Sequence, residues 1–171
     1  MMTLAEAQDM LMDVTQMIEE GHCNPFRPKK LIILPSEVQT VKKILFVCVE
    51  NAGRSQMAEA FAKAYGKGKV EAISAGTMPA KEVNPVVVQV MQEKGLDISA
   101  NKPKLIANQM VQEADTIIVM GCSAEGFCPA PLLNKVVDWG IEDPKGKLVE
   151  KVREIRDEIE RKVRIMLDEM A

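Results

Sequence analysis

Apolar and polar residues follow two patterns along most of this chain. A continuous apolar run, typical of a strand buried on both faces of a parallel sheet, occupies residues 43–48, and further strands are predicted over residues 70–74, 115–122 and 134–139. Apolar residues at helical spacing predict helices over residues 54–66, 84–95, 104–114 and 146–169. Strands that alternate with helices predict an α/β fold, a three-layer sandwich with a parallel sheet between helices on both faces.

The start of the chain departs from this alternation. Residues 1–20 carry an amphipathic helical stripe, and residues 31–35 form a short apolar run that ends in a proline. We therefore predict an N-terminal helical extension over residues 1–41 and a main domain over residues 42–171. The stripe is suited to covering the sheet edge, forming a dimer or docking a partner, and we favour the first of these.

Composition and charge narrow the class of protein. A length of 171 residues with 47% hydrophobic composition fits one compact domain with an appendage, and a net charge of −3 argues against nucleic-acid binding. No apolar run approaches the length of a membrane span, and residues 1–10 lack the features of a signal peptide, so we expect a cytoplasmic protein with no membrane partner. Cysteines in that compartment rarely form permanent disulfides, which leaves metal binding, catalysis and redox cycling open for Cys23, Cys48, Cys122 and Cys128.

A candidate anion-binding loop follows the first predicted strand. Cys48 ends that strand, five residues follow, and Arg54 opens the next helix. Backbone N–H groups of such a turn can converge on an oxyanion, and an arginine fork binds a tetrahedral oxyanion through two hydrogen bonds. The same positive field stabilises a thiolate nucleophile at Cys48. The sequence therefore predicts an oxyanion site built from Val49, Glu50, Asn51, Ala52, Gly53 and Arg54.

Context decides between this function and an ordinary buried cysteine. A cysteine at the end of a strand is common, and the spacing between Cys48 and Arg54 is weak by itself. The functional interpretation is favoured by the strand before Cys48 and the helix after it. It is also favoured by Asn51, which can brace the loop, and by Ser55, which can hydrogen-bond to the thiolate. Because a carboxylate inside the loop would oppose anion binding, we expect the Glu50 side chain to point outward.

Four segments of this chain resemble one known family. The stretch VCVENAGRSQMAEAF (47–61) is similar to the phosphate-binding loop of the low-molecular-weight protein tyrosine phosphatase fold, and RSQMAE recurs in its thioredoxin-coupled arsenate reductases. SAGT (74–77), CSAEGFCP (122–129) and VDWGIEDPKGK (137–147) continue the likeness, which covers about residues 42–171. We therefore expect a four-stranded parallel sheet in the order 2-1-3-4.

The resemblance implies arsenate reduction by a relay of three cysteines. Arsenate, or a phosphate-like oxyanion, would bind in the loop 49–54, Cys48 would attack arsenic, and Asp143 in the Asp-Pro segment would protonate the leaving oxygen. Cys122 would then attack the adduct to release arsenite, and Cys128 would resolve the disulfide to Cys122–Cys128. Thioredoxin or a glutaredoxin-like dithiol would reduce that pair.

Other interpretations of these residues stay open. Five residues separate Cys122 from Cys128, longer than the usual zinc-ligand spacing, so we expect no metal site there. A phosphatase needs only Cys48, Arg54 and Asp143, but such enzymes usually carry an aromatic residue after the Asp-Pro pair, where this chain has Lys145. A third possibility is a non-catalytic oxyanion or thiol sensor, which would have no use for the Asp143 acid.

The resemblance also bears on a cation. Some reductases of this family bind potassium behind the loop, and Asn51, Glu59 and Ser74 match positions of that site. The aspartate that should complete the site is replaced by Lys104, so we expect no cofactor and disfavour potassium. One hypothesis is that the Lys104 ammonium group pairs with Glu59 in place of the cation. The alternative is that Lys104 points into solvent.

Overall fold

The computed structural model describes residues 41–170 as a sheet flanked by helices. Strands β1 to β4 span Lys42–Cys48, Val70–Gly76, Thr116–Val119 and Val136–Asp138. Helices α1 to α4 span Arg54–Tyr65, Pro85–Gln92, Asn108–Glu113 and Val149–Glu169. Two short 3₁₀ helices, Ala124–Gly126 and Ala130–Lys135, connect β3 to β4.

All strand pairings are parallel, and the order is β2-β1-β3-β4, which confirms the predicted fold. Strand β1 is central and buried, because its side chains alternate between the two layers of helices. Phe46 and Cys48 belong to the apolar cluster under α1, α2 and α4. Leu45 and Val47 belong to the cluster on the opposite face, under α3. Since β1 and β3 are neighbours, the segments that leave their carboxyl ends start side by side.

Several element boundaries differ from the prediction; β2 continues to Gly76, for example, and α2 ends at Gln92 rather than at residue 95. The helix predicted over 104–114 begins only at Asn108, because the backbone around Leu105 forms a parallel bridge with Gly76. Strand β3 ends at Val119 rather than at residue 122, and β4 begins at Val136 because a 3₁₀ helix occupies the residues before it. The last helix begins at Val149, after an exposed Leu148.

The predictions for residues 1–40 concern a part of the chain outside the described residues. They include the helical extension and Cys23, and the boundary at residue 41 stays a prediction. Within residues 41–170, no helix is both long and apolar enough to span a membrane.

Candidate active site

The Cys48 thiol lies at the carboxyl end of β1, buried under the loop that leads into α1. Its sulfur lies 3.0 Å from the Ser55 hydroxyl oxygen and accepts a hydrogen bond of 3.2 Å from the backbone N–H of Asn51. Both partners are suited to stabilising a thiolate, since a sulfur anion accepts hydrogen bonds from hydroxyl and amide donors. The sequence-predicted nucleophile and Ser55 are therefore in direct contact.

Asn51 holds the loop in shape. Its backbone has a φ of 50°, the only positive value at a non-glycine residue in the described part of the chain. Its side-chain oxygen accepts hydrogen bonds from Gln56 Nε2 at 3.2 Å and from the Lys104 N–H at 2.7 Å. Its side-chain nitrogen donates to the hydroxyls of Ser55 at 2.8 Å and Ser74 at 2.9 Å. All four hydrogen-bonding positions of this amide are used, so the loop is braced before any anion arrives.

Arg54 crosses from the start of α1 to the acidic segment after β4. Arg54 is 6% exposed; its guanidinium donates from Nη1 to the carbonyl of Ile141 at 3.0 Å and pairs through Nη2 with the Asp143 carboxylate at 2.7 Å. The structure therefore brings the predicted cation and the predicted acid together. Gly121, after β3, makes room for the guanidinium, because a Cβ at that position would collide with Nη1.

Gly121→Ala is expected to damage the anion site as well as the fold. Gly121 has a φ of 73°, so the alanine should lower the free energy of unfolding by about 1–3 kcal/mol, and its methyl group should displace Arg54. Gly68→Ala is a matched control, because Gly68 has a φ of 76° and a Cβ there would meet no atom within 4 Å. Denaturation and phosphate-binding assays should show lower stability in both variants but weaker phosphate binding only in Gly121→Ala. Equal phosphate affinity in the two would contradict this account.

The thiol, the guanidinium and the acid share one pocket. It is also lined by Gly53, Asn84, Pro144 and Lys145. Glu50 lies at its mouth, where its carboxylate pairs with the Lys145 ammonium group at 2.5 Å. Asp143 is half exposed, which gives it access to water as a source of protons.

The two other predicted relay cysteines lie beside β1. Cys122 Sγ is 3.8 Å from the carbonyl oxygen of Val47, the residue immediately before Cys48. Cys128 is buried in the cluster under α3, and Cys122 packs against the same cluster. All three cysteines within residues 41–170 are free thiols. Burial raises the pKa of both the Cys122 and Cys128 thiols, and the neighbouring Cys48 adds to the rise at Cys122 while Arg54 opposes it.

The buried Glu59 connects the loop to two ammonium groups. Its carboxylate accepts a hydrogen bond from Ser74, pairs with Lys63 at 2.5 Å, and lies 3.7 Å from the Lys104 Nζ atom. A carboxylate that already faces two ammonium groups fits a bound potassium ion poorly, since like charges would compete for it. Among residues 41–170, no group of three or more His, Cys, Asp or Glu side chains is arranged to hold a metal ion.

Comparison with known proteins identifies the family. The model of the family described as "Low molecular weight phosphotyrosine protein phosphatase" matches residues 43–171. The chain belongs to this family. A Halobacterium salinarum protein, named provisionally as an arsenate reductase, is 41% identical to the present chain over 132 residues. The match covers 74% of the present chain and 92% of the Halobacterium protein. The glutaredoxin arsenate reductase of a Synechocystis species is 36% identical over 125 residues, which cover 72% of the present chain and 94% of that protein.

Solved structures place this family member close to arsenate reductases. An arsenate reductase in the phosphate binding state superposes with a TM-score of 0.69 at 34% identity, over 77% of the present chain and all of that one. The thioredoxin-dependent arsenate reductase of Corynebacterium glutamicum gives a TM-score of 0.66, also at 34% identity, over 78% of the present chain and 63% of that one. The resemblance inferred from the sequence is confirmed.

Several residues of the site were not found by sequence reasoning. Gly121 and Lys63 belong to segments that were interpreted only as secondary structure, and Ile141 was quoted within VDWGIEDPKGK but given no role. Gly76 was quoted within SAGT but given no role, and the structure gives it one: a Cβ there would lie 2.6 Å from the carbonyl oxygen of Val49. A glycine directly after an apolar run is the signal that marks both glycines as positions of close backbone approach.

Proposed function

We propose that this protein reduces arsenate to arsenite with three of its cysteines. The observation that carries the proposal is the position of Cys122, whose sulfur lies 3.8 Å from the backbone oxygen of Val47, next to the Cys48 nucleophile. A phosphatase has no use for a second thiol there, since water completes its cycle. The naming of relatives as arsenate reductases, one linked to glutaredoxin and one thioredoxin-dependent, supports the same activity.

The first step is displacement at arsenic. Arsenate binds to the loop N–H groups of residues 49–54 and to Arg54, and the Cys48 thiolate attacks arsenic. An S–As bond forms, an As–OH bond breaks, and the Asp143 carboxyl group gives a proton so that the oxygen leaves as water. Asp143 pairs with Arg54 in this structure, so the acid and the guanidinium that binds the anion lie side by side.

The second step transfers the electrons. The Cys122 thiolate attacks Cys48 Sγ, an S–S bond forms, and the S–As bond breaks with its electron pair left on arsenic. Arsenic(V) becomes arsenic(III), and the two thiols lose two electrons in total. Cys128 then attacks Cys122 Sγ, which frees the Cys48 thiolate and leaves a Cys122–Cys128 disulfide. A dithiol of the thioredoxin or glutaredoxin class reduces this disulfide and closes the cycle.

The disulfide steps should accelerate as pH rises. The pKa values of Cys122 and Cys128 lie above the ordinary thiol value, so both groups are largely protonated near pH 7 and their thiolate fractions grow about tenfold per pH unit below those values. Single-turnover loss of thiols, measured between about pH 6.5 and 8.5, should follow this rise. Phosphate affinity measured in the same buffers separates thiol chemistry from anion binding. A thiol-loss rate that is flat with pH would argue against rate-limiting attack by either cysteine.

One anaerobic turnover tests the proposed activity. Fully reduced protein is mixed with arsenate, and thiols, arsenite and intact mass are measured. Loss of two thiols with about one equivalent of arsenite supports the relay, and peptide mapping tests whether it ends at Cys122–Cys128. Unchanged thiols and no arsenite refute it and leave the phosphatase or the non-catalytic sensor, which turnover of phosphomonoesters then separates.

We also propose that Lys104 takes the place of a bound cation behind the loop. Its ammonium group lies 3.7 Å from the buried Glu59 carboxylate, and its backbone N–H binds Asn51, so one residue supplies both charge and support. Potassium and sodium should therefore have equal effects on activity and melting temperature.

Lys104→Asp should convert the site to one that responds to potassium. The variant is expected to lose stability in sodium and to regain stability and activity in potassium, whereas Lys104→Met should lose at most about 1 kcal/mol because Lys104 is 42% exposed and Lys63 stays in place. Lys102→Asp makes the same charge change at a nearby exposed position and is the control. A strong potassium response of the unmodified protein, in melting temperature or activity, would contradict the proposal.

A further inference from the structure

The segment 143–145 is docked onto the anion loop by three different contacts. Asp143 pairs with Arg54 at 2.7 Å. Pro144 packs against Gly53, where an added Cβ would lie 2.9 Å from the Pro144 Cγ atom. Lys145 pairs with Glu50 at 2.5 Å. Each residue of the segment therefore meets a different part of the loop, and the segment lines the same pocket as the Cys48 thiol.

The third contact resolves an electrostatic problem of the loop. Glu50 lines the pocket that we propose to bind anions, and an unpaired carboxylate there would repel them. Lys145 supplies the opposite charge at hydrogen-bonding distance, and this hydrogen bond raises the pKa of Lys145, which stays charged at all relevant pH values. The pair is neutral as a whole, so it adds bulk to the mouth without adding net charge.

We propose that the Glu50–Lys145 pair is a size filter, which admits free inorganic oxyanions and excludes phosphate or arsenate esters with an organic group. The inference rests on the proposed function and concerns the substrate of that same site. Both residues line the pocket that holds the Cys48 thiol, and both are partly exposed, so they stand between the thiol and solvent. An ester group would have to project through the space that the paired side chains occupy.

The Glu50–Lys145 pair has this role because of where its side chains lie, and not because the ion pair is strong. Lys145 is 67% and Glu50 37% exposed, and such exposed pairs contribute little to stability. Lys145 is brought over Glu50 by its own backbone, whose N–H donates to the Asp143 carboxylate at 3.0 Å, and by the Pro144 contact with Gly53. The filter therefore depends on the docked segment, and removal of both side chains should open the mouth without unfolding the protein.

The double variant Glu50→Ala/Lys145→Ala tests the filter because it leaves the net charge of the pocket unchanged. The probes are inorganic phosphate, as a competitive inhibitor, and p-nitrophenyl phosphate, as an ester whose p-nitrophenolate release includes any first-turnover burst from Cys48. We expect ester kcat/KM to rise at least about tenfold. The inhibition constant of phosphate should change by a smaller factor than ester kcat/KM, because both alanines keep the backbone N–H groups of the loop and remove no net charge.

Single variants separate charge from size. Lys145→Met leaves the Glu50 carboxylate unpaired at the mouth, so phosphate binding should weaken, and adding Glu50→Gln should restore it. Lys147→Met is the matched control, because Lys147 lies just after the segment 143–145 and pairs with Glu142 at 2.7 Å but does not line the pocket. That control should change neither ester hydrolysis nor phosphate inhibition.

Two results would overturn the filter. One is an unmodified protein that releases p-nitrophenolate as fast as the double variant. The other is a double variant in which ester hydrolysis and phosphate inhibition change by the same factor, as expected of a general disturbance of the loop. Both readouts are independent of Cys122 and Cys128, so failure of the filter is distinguishable from failure of arsenate reduction, which is scored by arsenite and thiol loss.

Discussion

Cys122→Ser is expected to lower arsenite production by roughly 10³-fold or more, because the attack that transfers electrons to arsenic loses its nucleophile. The anion site should survive, since Cys122 reaches it only through a weak contact of 3.8 Å to the Val47 carbonyl oxygen. Phosphate affinity should therefore match that of the unmodified protein, while arsenate is converted only as far as the Cys48 adduct. The assays are arsenite release, competitive binding of phosphate and intact mass under anaerobic conditions.

Two comparisons sharpen this experiment. Cys23→Ser removes a thiol outside the proposed relay and should retain full activity. Cys128→Ser should complete a first turnover, because arsenite leaves before Cys128 acts, and should then stop with Cys48 and Cys122 joined. Full multiple-turnover activity in Cys122→Ser would mean that an external thiol attacks the Cys48 adduct directly, and the internal relay would be wrong.

Arg54→Lys is expected to lower kcat/KM for arsenate by about 10²–10³-fold, the usual effect of losing one donor to a developing oxyanion. A lysine keeps the charge but cannot bind Ile141 and Asp143 at once, as the two ends of the guanidinium do at 3.0 and 2.7 Å. It also cannot offer two parallel N–H groups to a tetrahedral anion. Both the binding of the anion and the position of the acid should therefore suffer.

A second arginine supplies the control for this variant. Arg156 is also 6% exposed and also binds a backbone carbonyl and a carboxylate, those of Val90 and Glu93, both at 2.8 Å. Arg156→Lys should therefore lower stability much as Arg54→Lys does, without lowering phosphate affinity. The melting temperatures and phosphate inhibition constants of the two variants test whether Arg54, unlike Arg156, contributes to anion binding. If Arg54→Lys lowers only stability, the proposed role of its guanidinium in anion binding is wrong.

The fold followed from the sequence because its strongest signals are local. The run that ends at Cys48 is buried on both faces, and the helix after Arg54 carries a clear apolar stripe, so both elements form where the pattern predicts them. The loop between them was predicted residue by residue, because short loops are largely determined by the elements that they join. Cys48, Ser55 and Asn51 could therefore be assigned to one place without coordinates.

The differences arise where distant backbone decides the conformation. Residues 104–107 have a helical pattern, but Gly76 pairs with the backbone at Leu105, and no property of the local sequence reports a bridge to a residue so far along the chain. Gly121 likewise has its role only because Arg54 arrives beside it from α1. The pairing of Glu50 with Lys145 needed the same information, since the two residues are 95 positions apart in the sequence.

The saturated amide of Asn51 has a thermodynamic consequence. Its four hydrogen bonds hold the loop in the left-handed turn at residue 51 before an anion arrives, so little backbone freedom is left to lose on binding. The loss of conformational entropy that orders this loop therefore occurs when the chain folds and not when the anion binds. Calorimetry of phosphate binding should therefore register mainly desolvation and the new charge-assisted hydrogen bonds, with a small heat-capacity change because little apolar surface is buried.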